Sequence, residues 1–176
     1  LGITGGATVS ATQDFTGLGA VDNTLTLGAS TAGSALNTVL TGGAVVDAGT
    51  GSDTLTLINI DDNTSQIGAT GSTEALRGFD NIYLDNSNLT GNLDLGTIAD
   101  EADNIISLAD ASTISGYIDA GVGNNDTFIV GLAQTVASSD IHLEEFGAAA
   151  GEKYRNFENL EIYGTLTGTL ALGNGD

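Results

Sequence analysis

Six short segments of this chain begin alike, with an acid, then Asn or Thr, then an apolar-polar-apolar alternation. They start at Asp22, Asp53, Asp80, Asp103, Asp126 and Glu158, at intervals of 31, 27, 23, 23 and 32 residues. In the first segment the apolar positions are shifted by one, and the Asp103 segment (Asp103-Asn104-Ile105-Ile106-Ser107-Leu108) is looser. A period of two is the period of a β-strand with one face buried. Thr24-Leu25-Thr26-Leu27, Thr54-Leu55-Thr56-Leu57, Asn81-Ile82-Tyr83-Leu84, Thr127-Phe128-Ile129-Val130 and Asn159-Leu160-Glu161-Ile162 all have it, with shorter pieces at Leu93-Asp94-Leu95 and Leu170-Ala171-Leu172. Clusters of Gly, Asn, Asp, Ser and Thr between them are turn chemistry. Short strands recurring at this spacing describe stacked units, because a single unit cannot bury its own apolar face. The expected fold is all-β, a right-handed parallel β-helix (β-solenoid) of about six coils with two excursion loops, at Asp61–Leu76 and Leu132–Tyr154. Helical signals are few: a turn or two within Ala133–Phe157, N-capped at Ser139-Asp140, and a single turn at Thr73–Leu76.

A longer repeat overlies the short one. Val46-Asp47-Ala48-Gly49-Thr50-Gly51-Ser52-Asp53 recurs as Ile118-Asp119-Ala120-Gly121-Val122-Gly123-Asn124-Asn125-Asp126, at an offset of 72. Arg77-Gly78-Phe79-Asp80-Asn81 recurs as Arg155-Asn156-Phe157-Glu158-Asn159, at an offset of 78. Leu89-Thr90-Gly91 recurs as Leu166-Thr167-Gly168, at an offset of 77. Ordered blocks in register predict one domain, 1–176, built of two internal repeats (about 1–95 and 96–173) and forming part of a longer array. An open end of such a stack is an unpaired edge, so neighbouring repeats and self-association are the expected contacts.

Composition narrows the function. Three cations against 23 acids give a net charge of −20 in 176 residues, which excludes neutralising nucleic-acid phosphates. There is no Cys, hence no disulfide framework and no thiolate site. No apolar run is long enough to insert in a membrane as a helix. Disorder is opposed by 40% hydrophobic residues, 15% charged residues and the absence of Pro. Catalysis lacks a constellation. His142, the lone histidine, sits between Ile141 and Leu143, and the acid pairs Asp61-Asp62 and Glu144-Glu145 suit solvated turns.

The Gly-rich turns carry two readings. Ala48-Gly49-Thr50-Gly51-Ser52-Asp53-Thr54-Leu55 fits a calcium-binding nonapeptide, G-G-x-G-x-D-x-U-x, except at its first Gly. On that reading Asp47, Gly49, Gly51 and Asp53, with Asp119, Gly121, Gly123 and Asp126, would hold Ca2+ through turn carbonyls and carboxylates. On the other, the glycines form a tight turn and the Asp caps its amides. Phe79 and Phe157 suit plugs at a corner. Arg77 and Arg155, two of the three cations, stand at equivalent places, where each suits an ion pair with Asp80 or a neighbouring acid. Asn81, Asn104 and Asn159 suit a stacked amide ladder.

The phrases D-A-G-x-G-x-x-D-T-L-x-L, Gly78-Phe79-Asp80-Asn81-Ile82, Asn156-Phe157-Glu158-Asn159-Leu160 and L-T-G-x-L-x-L-G resemble those of bacterial exported β-solenoid proteins. Two groups of such proteins use similar phrases. One is the passenger domains of autotransporter adhesins, and the other is the acidic, Cys-free RTX-type surface-layer and large-adhesin proteins. Tandem G-G-x-G-x-D rows are missing from these 176 residues, a departure from the second group. The resemblance implies an extracellular, non-catalytic structural or adhesive segment at the bacterial cell surface, with a host or cell-surface receptor or glycan as outside partner. The alternatives are a calcium-binding, self-assembling surface-layer module and a carbohydrate-active β-helix enzyme.

Overall fold

The computed structural model describes residues 2–3, 8–10, 12–14, 20–69, 71–98, 103–121, 125–137 and 153–168. They form an all-β structure of parallel sheets. The chain passes seven times through one long sheet, as Gly2–Ile3, Thr24–Gly28, Thr54–Ile58, Asn81–Asp85, Ile105–Ala109, Thr127–Val130 and Asn159–Ile162, which lie side by side in chain order. Each pairs with the next in parallel and without slippage: Leu25↔Leu55↔Ile82↔Ile106↔Phe128↔Leu160 is one column and Leu27↔Leu57↔Leu84↔Leu108↔Val130↔Ile162 another. From the Leu25–Leu27 pass to the Phe128–Val130 pass these columns are buried. Burying one such side chain stabilises a fold by about 1.5–3 kcal/mol. Register is fixed here because a slip of one residue would turn every Leu outward.

Between passes the chain returns through smaller parallel sheets. Asp61–Asn63, Asn88–Thr90 and Thr113–Ile114 form one, while Leu93–Asp94, Ile118–Asp119 and Tyr154–Arg155 form another. Gln13–Asp14, Val46–Asp47, Leu76–Arg77 and Ile67–Gly68 form a third. A last pair joins Thr135–Ala137 to Thr165–Thr167.

Several local expectations are corrected. Asp61–Leu76 is not a free excursion: Asp61–Asn63 pairs with Asn88–Thr90, and Ile67–Gly68 with Leu76–Arg77, so sheet partners take up part of its backbone. The return 29–45, which carries a 3-10 turn at Leu36–Thr38, is as long as 59–75. Thr73–Leu76 is not helical, since Leu76 is recruited into a strand. Leu95 does not extend the strand Leu93–Asp94 but starts a helical turn, Leu95–Ile98. The capping pair Ser139-Asp140, the strand Leu170-Ala171-Leu172 and most of Leu132–Tyr154 lie outside the described residues.

Candidate functional site

The acids that open the strands form a ladder at one corner of the interior. The carboxylate of each accepts a backbone N–H from the pass before it. Asn23 N–H donates to Asp53 Oδ1 at 2.6 Å, Asp53 N–H to Asp80 Oδ2 at 2.8 Å, Asn104 N–H to Asp126 Oδ1 at 2.6 Å and Asp126 N–H to Glu158 Oε2 at 2.8 Å. Asp53, Asp80 and Asp126 are fully buried. In the first and fourth of these segments the ladder position belongs to Asn23 and Asn104, not to Asp22 and Asp103, as the register Thr24↔Thr54 and Ile105↔Asn81 requires. The shifted apolar pattern of these two segments is the sequence sign of this. A charged acceptor facing a backbone donor makes a strong hydrogen bond, which is why acids recur here.

The expected amide ladder of Asn81, Asn104 and Asn159 does not form. Asn81 donates to Ser52 Oγ and Asn159 to Asn125 Oδ1, whereas Asn104 stands in the acid column and donates to the Ala120 carbonyl. An amide pair lies instead at the opposite end of the long strands, where Asn86 Nδ2 donates to Asn59 Oδ1 at 2.7 Å. Asn59, Asn86 and Asp110 follow successive strands with φ of 61°, 46° and 46°. Asn and Asp tolerate this left-handed conformation better than most residues. Next to them, Ser87 and Ser112 are buried: Ile60 N–H donates to Ser87 Oγ and Ser87 N–H to Ser112 Oγ. Sequence reasoning missed this second interior ladder, although its signal, Asn86-Ser87 and Asp110-Ala111-Ser112 after successive strands, is present in the sequence.

The candidate calcium residues divide between two settings. Asp47 and Asp119 lie in register beneath the two arginines, Asp47↔Arg77 and Asp119↔Arg155. Arg77 Nη1 is 3.6 Å from Asp47 Oδ2. Arg155 Nε is 3.2 Å from Asp119 Oδ2, an ion pair without hydrogen-bond alignment, and its guanidinium stacks 3.6 Å from the Tyr117 ring centre. Asp47 Oδ1 also caps the Gly49 N–H and Asp119 Oδ1 the Gly121 N–H. The ion-pair partners of the arginines are thus the acids one pass earlier, not Asp80. Asp53 and Asp126 belong to the interior ladder, facing backbone. Gly49, Gly51 and Gly121 have φ of 92°, 136° and 100°, as a tight turn needs; Gly123 lies outside the described residues. Among the described residues, no group of three or more His, Cys, Asp or Glu is placed to hold a metal ion.

Of the residues weighed for catalysis, His142, Glu144 and Glu145 lie outside the described residues. Asp61 Oδ1 accepts from the backbone and side-chain N–H groups of Asn88, while Asp62 takes the N–H groups of Leu36 and Asn63. Both carboxylates brace backbone. Phe79 and Phe157 are buried, and Phe157 packs 5.5 Å from the Phe128 ring. The position before each needs positive φ, 67° at Gly78 and 61° at Asn156, which is why the repeat exchanges Gly for Asn there.

The outer face of the long sheet carries the column Thr26↔Thr56↔Tyr83↔Ser107↔Ile129↔Glu161. Tyr163 beside it is 63% exposed and donates its hydroxyl to Glu161 Oε2. At one margin, partial burial, the negative Asp110 and a hydrogen bond with it hold the Asp85 carboxyl above its ordinary value of 3.8. A carboxyl raised in the folded state favours folding at low pH, and that contribution is lost as pH rises through its folded value. Asp85→Asn therefore gains stability relative to the native chain between pH 4 and 7, read as urea midpoints at the two pH values. An equal offset at both would overturn the pairing. Comparison with known proteins finds no matching family model, no matching curated protein and no matching solved structure.

Proposed function

We propose that the parallel sheets wrap into a right-handed β-helix and that the chain is a non-catalytic structural and adhesive segment of an exported bacterial surface protein. The observation that carries this is the unbroken parallel register of the seven-stranded sheet, backed by acid and serine ladders in the interior that join successive passes from Thr24–Gly28 to Asn159–Ile162. Such a stack is stabilised by nearest-neighbour contacts and tolerates extension at its ends. The placing outside a bacterial cell rests on the resemblance of the turn and strand phrases. Asp53, Asp61, Asp62, Asp80 and Asp126 brace backbone and Asp47 and Asp119 face arginine, which favours a scaffold over an enzyme. The same placement favours the structural reading of the Gly-rich turns over the calcium-loaded surface-layer module.

The test is a thermal melt followed by circular dichroism in excess EDTA and across a calcium titration. The expected result is a β-type spectrum with the same midpoint throughout. A large calcium-dependent rise would make the turns metal sites, since a ligand that binds only the folded state raises its stability. The surface-layer reading would then replace this one.

A further inference from the structure

The return segment 29–45 matches the next one, 59–75, in length and is much longer than 86–92 or 110–117. It folds beside the segment 62–75 and leaves a cleft of about 700 Å³ between them. This is within the size range of small-ligand sites. Its floor is apolar and buried, from Leu36, Leu40 and Ala44. Its polar lining comes from Asn37, Thr41, Asp62 and Gln66. Two left-handed glycines, Gly42 and Gly43 with φ of 66° and 73°, turn the chain around its edge, and a Cβ on Gly43 would meet nothing.

The chemistry of this lining selects a ligand class. Among the described residues, no hydrogen bond holds the Asn37 or the Gln66 side-chain amide. Each offers both donors and an acceptor. Asp62 is an acceptor already steadied by the N–H groups of Leu36 and Asn63. None of the three cations, Arg77, Lys153 and Arg155, lines the cleft, so nothing there compensates an anion. Asp62 is the one carboxylate among the lining residues and both its oxygens already accept N–H groups, which leaves little negative charge for a calcium ion. Amides and one carboxylate above a small aliphatic floor match vicinal hydroxyls and C–H faces.

We infer that the cleft between residues 35–44 and 62–75 binds an uncharged saccharide. This goes beyond the scaffold reading and does not depend on it. With no aromatic platform in the lining, a single hexose binds weakly, with a Kd of roughly 1–10 mM.

The test is titration of the 15N-labelled protein with D-glucose, D-galactose and D-mannose, with D-glucuronate as charged control. The expected result is saturable shifts of the Asn37 and Gln66 side-chain amides and the Leu36 N–H with at least one neutral hexose. Gln66→Leu, chosen because Gln66 holds up no neighbour, keeps the melting midpoint and weakens binding about tenfold. The inference is overturned if no neutral hexose shifts these signals up to about 100 mM, a concentration ten times the weakest expected Kd. It is also overturned if glucuronate shifts them equally, or if Gln66→Leu binds like the native chain. None of these results touches the calcium-independent melt, so failure here and failure of the scaffold reading are told apart.

Discussion

Replacing Phe128 by Ala is expected to destabilise the fold by about 3–5 kcal/mol, the usual cost of deleting a large aromatic from a closed core. Phe128 is fully buried in the inner column between Ile106 and Leu160. Its ring stacks 4.3 Å from Tyr154 and lies 5.5 Å from Phe157, so one truncation empties the meeting point of three aromatic rings. Aromatic pairs in such geometry contribute about 0.5–1.5 kcal/mol beyond the area they bury. The check is a urea titration. Tyr163→Ala is the control: its side chain is 63% exposed, and it is expected to stay within about 0.5 kcal/mol of the native chain. Hydrogen exchange adds a spatial test. Within the long sheet each strand is hydrogen-bonded only to its neighbours, so protection should fall first in Ile105–Ala109 and Asn159–Ile162 and persist in Thr54–Ile58. Uniform loss would show that the sheet melts as one unit.

Gly121→Ala is expected to cost about 2–5 kcal/mol, although it adds a single methyl group. Gly121 has φ of 100°, and a Cβ built there falls 2.6 Å from the Gly96 Cα. The obstacle is backbone one pass away, so no rotamer change relieves it. Gly71→Ala separates the two causes. Its φ is 75° but a Cβ there meets nothing, so only the conformational cost of about 1–2 kcal/mol is expected. Equal losses at the two positions, measured by chemical unfolding, would remove the case for close packing between Gly96 and Gly121.

Much of the architecture is legible because period-two alternation and the spacing of strand starts survive in a single sequence. The five clear alternating segments are all strands of the long sheet, and the acids are correctly tied to strand starts. Asp22 and Asp103 mislead, because the register puts Asn23 and Asn104 in the ladder column, where each donates its N–H to the acid of the next pass. The return strands are largely invisible: two or three residues such as Val46–Asp47 or Ile118–Asp119 are too short to show a period. Asp61–Leu76 looks like a loop because its polar residues hide strands held by pairing rather than by an apolar face. The cleft has no local signature, since Asn37 and Gln66 are ordinary polar residues until two separate segments fold side by side.

Local sequence is enough to specify the β class, the inward Leu and Ile columns, and the Gly or Asn positions that turn the chain. Each is a property of a few adjacent residues: side-chain alternation, or a φ that only certain residues adopt. What the polar residues do is settled only in the folded chain. Whether Asp47 faces a cation or an arginine, and whether Asp53 faces solvent or a buried N–H, depends on a residue some thirty positions away in the chain. The parallel register that brings Arg77 above Asp47 and Asp53 above Asn23 is a cooperative result of packing every inward column at once.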